Sequence, residues 1–94
     1  MKIEVLYEAQ LRQLAGAPSM HFEMAEDSTL LDVLRRAAEE GGSEFGAKLL
    51  SPEGGLQPGI LVFIGEQAVA ADAVPQQSVQ DGDSILLLPP ISGG

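Results

Sequence analysis

The stretch from Thr29 to Glu40 most constrains how this chain can fold. Leu30, Val33, Leu34, Ala37 and Ala38 recur at the spacing of one helical face, while Arg35, Arg36, Glu39 and Glu40 lie outside it. Ser28 or Thr29 can cap the start, and Thr29 with Asp32 has capping-box spacing. Gly41-Gly42 stops the helix. An apolar stripe on one face must be buried against another layer. The segments on either side of it read mainly as strands.

Lys2 to Tyr7 alternates, with Ile3, Val5 and Tyr7 on one face. Ala9 to Ala15 carries Leu11 and Leu14 at helical spacing, a short turn ended by Gly16-Ala17-Pro18. His21 to Met24 reads as a strand that forms a hairpin with the first. Ser43 to Leu50 suggests a short helix carrying Phe45, Leu49 and Leu50 toward the core. Ser51 to Gly55 and Gln57-Pro58-Gly59 are turn chemistry. Ile60 to Ile64 is an apolar run of strand length and reads as a central strand. Gly65 marks a turn into a short edge strand near Gln67 to Val69. Asp72 to Val79 reads as loop, Asp81-Gly82-Asp83 as a tight turn and Ser84 to Leu88 as the last strand.

Strand, strand, helix, strand, short strand, strand is the order of a mixed sheet with one main helix on one face. The first and last strands can lie parallel at its centre, with a right-handed crossover through the helix. The expected fold class is therefore α+β: a β-grasp (ubiquitin-like) domain of about five strands spanning residues 1–94, with 89–94 as an extended tail. A chain of 94 residues, 45% hydrophobic, suits one such core. The helix leaves one face of the sheet open. Alternation puts Ile85 and Leu87 on one face, and Leu86 and Leu88 on the other with Ser84. Leu6 joins them there, so Leu6, Leu86 and Leu88 are candidates for contact with a partner.

Pro89 and Pro90 lack N–H donors and cannot continue a strand ladder, so they lift the backbone away from the sheet. From Pro89 through Ile91 and Ser92 to Gly94 the tail can reach roughly 20 Å. Gly93 and Gly94 have no side chains and can enter a narrow channel, with the Gly94 α-carboxylate as the reactive group.

Fourteen acidic residues against five basic give a net charge of −9, which argues against nucleic acid and for a partner with a basic surface. No apolar run suits a membrane span and the start is not a signal peptide, so a cytoplasmic location is expected. With no cysteine, the chain offers neither a thiol nucleophile nor a thiolate metal site. His21 is the only histidine, and no Ser-His-Asp set is present. Asp81-Gly82-Asp83 lacks the remaining ligands of a calcium loop. No metal site is expected, and the chain by itself does not read as an enzyme.

The whole chain resembles the MoaD/ThiS sulfur-carrier proteins. The resemblance rests on Asp81-Gly82-Asp83, the apolar last strand and the ending Leu88-Pro89-Pro90-Ile91-Ser92-Gly93-Gly94. The opening Val5 to Gly16 is similar to the MoaD type, and Glu44-Phe45-Gly46 with Leu49-Leu50 to its longer members. Gly65 replaces a frequent Asn, and Leu88 stands where an aromatic residue often precedes the prolines.

The resemblance implies that Gly94 is adenylated and converted to a thiocarboxylate. It implies too that the chain itself binds no cofactor, ATP and Mg being used by a ubiquitin-activating-like (MoeB-like) adenylyltransferase. Gly93 would let the tail into partner active sites, Pro89 and Pro90 would direct it, and Leu86, Leu88 and Ile91 would dock the partner. In MoaD-type proteins that partner is the large, MoaE-like subunit of molybdopterin synthase, in a heterotetramer. Carriers for thiamine, cysteine or tRNA thiolation share the tail, as do ubiquitin-like modifiers joined to lysines. Lys2 and Lys48 are the only lysines here.

Overall fold

The computed structural model describes residues 1–90. Along the chain come β1 (Lys2–Tyr7), α1 (Ala9–Ala15), β2 (Ser19–Glu23), α2 (Leu30–Glu40), α3 (Ser43–Leu49), β3 (Leu61–Ile64), β4 (Gln67–Val69), a 3-10 turn (Ala71–Ala73) and β5 (Ser84–Leu88). The five strands form one sheet in the order β2-β1-β5-β3-β4. β1 and β5 pair in parallel, and the other neighbours are antiparallel. This is the β-grasp, ubiquitin-like arrangement expected from the order of elements. β5 holds the centre, while β3 lies between it and the edge strand β4.

α2 starts as its sequence dictates. The Asp32 N–H donates to Thr29 Oγ1 at 3.2 Å, and the Thr29 N–H donates to Asp32 Oδ2 at 2.9 Å, closing the capping box. Leu30, Leu31, Val33, Leu34 and Ala37 are buried, so the buried stripe includes Leu31 and leaves Ala38 at its border. The two glycines at its end do different things. Gly42 has φ +94, whereas Gly41 is right-handed and allows Phe45 to approach: a Cβ at 41 would overlap that ring.

The core joins α2, Leu11, Phe45 and Leu49 to Ile3, Val5, Tyr7, Val62, Ile85 and Leu87 of the sheet. Tyr7 and Phe45 meet edge to face with ring centroids 4.8 Å apart. Residues 72–79 do more than the loop reading suggests. Val74 and Val79 are buried, Thr29 and Ser78 form a β-bridge, and the Leu30 N–H donates to the Gln77 carbonyl at 2.7 Å. This segment closes the core beside the start of α2.

The Asp81-Gly82-Asp83 turn is tied to β1. The Lys2 N–H donates to Asp81 Oδ1 at 2.6 Å, and the Gly82 N–H to the Lys2 carbonyl at 2.8 Å. These bonds set the start of β5 against β1 and so fix the register of the two central strands. No helix among the described residues is long and apolar enough to cross a membrane.

Candidate partner face and tail base

The register brings three of the sequence-predicted contact residues together. Leu6 pairs with Leu86, and Leu86 with Phe63, so one row runs across β1, β5 and β3. Leu88 pairs with Leu61 in the next row on the same face. Leu6, Phe63, Leu86 and Leu88 are half-buried, and Leu61 is 49% exposed. On the opposite face Ile85 and Leu87 are fully buried. The apolar strip is therefore the face of the sheet that α2 does not cover.

Leu61 and Phe63 belong to this strip and were not singled out from sequence. Ile60 to Ile64 is apolar throughout, so only the pairing with β5 reveals which parity faces the helix.

A polar row borders the strip. Ser84 Oγ donates to Glu4 Oε1 at 3.1 Å, and His21 Nε2 lies 3.2 Å from Glu4 Oε2. Glu4 stands between the serine and the histidine, so the imidazole does not reach the hydroxyl and the row holds no serine–histidine pair. Among the described residues no cluster of His, Asp and Glu is placed to hold a metal ion.

The tail leaves from the end of β5. Pro89 is half-buried, Pro90 is exposed, and both line an open groove of about 760 Å³ together with Leu14, Ala47, Lys48 and Pro58. Pro90 stands against Gly59, where an added Cβ would lie 3.1 Å from both its Cβ and its Cγ. The expectations for Ile91, Ser92, Gly93 and Gly94 fall outside the described residues.

The family model described as "ThiS family" matches residues 5–94. The chain belongs to the ThiS family. This ThiS-family protein is 30% identical, over the full length of both chains, to small archaeal modifier protein 3 of Haloferax volcanii. Its fold is similar to the crystal structure of SAMP1 from Haloferax volcanii, with a TM-score of 0.87, 24% identity and full coverage of both chains. It is also similar to a putative molybdopterin converting factor, subunit 1, from Pyrococcus furiosus. That match has a TM-score of 0.75 and 22% identity, covering 97% of this chain and 99% of the other. The family is one of ubiquitin-like sulfur carriers and modifiers, and the MoaD type is not singled out within it.

Proposed function

We propose that this protein is a carrier whose Gly94 α-carboxylate is adenylated and then converted to a thiocarboxylate. The observation that carries this reading is the family match, which runs through residue 94 and so takes in the Pro-Pro to Gly-Gly tail. A carboxylate with a pKa of about 3.3–3.7 is anionic at neutral pH and resists nucleophiles. Activation solves this: a carboxylate oxygen attacks the ATP α-phosphorus and pyrophosphate leaves. A persulfide sulfur then attacks the acyl carbon and AMP leaves. A thiol cleaves the resulting acyl disulfide, and the inner sulfur stays on Gly94. The chain contributes the tail and a docking face, Leu6, Leu86, Leu88 and Leu61, for the ubiquitin-activating-like (MoeB-like) enzyme.

For the use of the sulfur, we put forward the small subunit of molybdopterin synthase, delivering to a MoaE-like large subunit in a heterotetramer. A second reading, transfer of Gly94 to lysines of other proteins, is favoured by the full-length relative named as a modifier. Pyrophosphate exchange by the cognate adenylating enzyme tests the shared step. Exchange should require this protein and vanish when Gly94 is deleted; exchange that survives the deletion contradicts the reading. Given the thiocarboxylate form, conversion of the pterin precursor by the cognate large subunit supports the first use. Protein adducts that depend on Gly94 support the second.

A further inference from the structure

Antiparallel pairing of β3 with β5 ends at Leu61 and Leu88, and the same register carried outward sets Gly59 opposite Pro90. The two-way exchange of the ladder cannot follow, because Pro89 and Pro90 have no N–H to donate. A side-face contact takes its place. Gly59 has φ +89, and a Cβ there would press on the Pro90 ring at 3.1 Å. The turn carrying Gly59 is itself held. Gln57 Nε2 donates to the carbonyls of Ala47 and Leu50, both at 3.2 Å, and the Gln57 N–H donates to the Leu49 carbonyl at 2.9 Å. The end of α3 thus anchors Gln57, and two residues later the turn meets the ring from which the tail departs.

We infer that the Gln57–Gly59 turn is a seat that aims the tail, with Gly59 as a positioning residue for the activation of Gly94. The inference rests on the carrier reading for its consequence but not for its geometry. Pro90 is the base of the tail: the four residues beyond it can reach roughly 13 Å, so the position of its ring sets where that reach begins and the direction in which the chain departs. Misplacement of a reacting group by about 1 Å can cost on the order of a hundredfold in rate. Gly59 supplies the space that keeps Pro90 in place, and Gln57 keeps Gly59 from moving.

The test compares Gly59→Ala with Gly82→Ala. Gly82 has nearly the same dihedral, φ +87, but nothing lies within 4 Å of its added Cβ, so it matches the backbone strain without the contact. Because the chain has no cysteine, Glu44→Cys gives a single spin-label site beside the groove. In Gly59→Ala the paramagnetic relaxation at the amides of residues 91–94 should change about twofold or more, and kcat/KM for sulfur loading should fall about tenfold. Gly82→Ala should move neither. Unchanged tail relaxation in Gly59→Ala overturns the proposal whatever the loading rate. Altered relaxation with loading as fast as in Gly82→Ala overturns it as well. If the native chain itself takes up no sulfur, the carrier reading fails while the relaxation comparison still decides the seat. Should Gly59→Ala not fold, Gln57→Met, which removes the two side-chain anchors, is judged by the same two measurements.

Discussion

Leu6 and Leu86 are register partners in the parallel pair at the centre of the sheet, and both point away from α2. Phe63 continues their row and Leu61 with Leu88 forms the next. Apolar side chains on the uncovered face can be changed with less effect on the core than Ile85 or Leu87, one position away and fully buried.

Leu86→Asp should therefore weaken binding to the adenylating enzyme by about 2 kcal/mol, roughly thirtyfold, as for a central interface residue. The thermal midpoint should change little. Titration calorimetry with the cognate enzyme measures the first quantity and a melting curve the second. Unchanged affinity would remove the sheet face from the interface.

Tyr7 carries a buried hydroxyl with no hydrogen-bond partner among the described residues. Burial raises its pKa above the ordinary value of 10. Tyr7→Phe keeps the ring against Phe45 and removes the unsatisfied group, so stability at neutral pH should hold or rise by about 1 kcal/mol. The sign of the pH dependence follows from linkage. The unfolded chain releases the phenolic proton near pH 10 while the folded one retains it, so stability is full below that pH and falls as pH rises above it. Urea unfolding at stepped alkaline pH should show this loss in the native chain and a shallower loss in Tyr7→Phe. Equal slopes would contradict it.

Gly41 and Gly42 should fail for different reasons. Gly41→Ala places a methyl group in the Phe45 ring, an overpacking cost of about 1–3 kcal/mol. Gly42→Ala meets open space, but its backbone, at φ +94 and ψ 169, suits essentially glycine alone and costs a side chain about 1–3 kcal/mol. The double variant Gly41→Ala with Phe45→Leu separates them: it should show smaller damage at 41 than the single changes sum to, whereas Gly42→Ala with Phe45→Leu should be additive. Chemical denaturation of the three single and two double variants provides the comparison.

Much of the fold was legible because its signals are local. The Thr29–Asp32 box, the stripe of α2 and the Asp81-Gly82-Asp83 turn need only neighbours in sequence, and so does the parity of Ser84 to Leu88. What escaped depends on contacts distant in the chain. Val74 and Val79 have no period of their own and are buried only because residues 72–79 cross beside the start of α2. Leu61 and Phe63 sit in a run apolar on both faces, so their side is set by pairing with β5. Gly59 looked like ordinary turn chemistry, and its closeness to Pro90 appears only once β3 and β5 are aligned. At the candidate site, Leu6, Leu86 and Leu88 were found by alternation alone. The chemistry proposed for Gly94 came from the resemblance and the family match.

Intact mass after incubation with the cognate adenylating enzyme, ATP, Mg and a persulfide donor tests the central claim most directly. The carrier reading predicts that the native chain gains the mass difference of one oxygen replaced by sulfur, localised to Gly94 by fragmentation, and that a chain ending at Gly93 gains nothing. A native chain that keeps its mass while the enzyme adenylates a known substrate, or sulfur found anywhere but on Gly94, would contradict it.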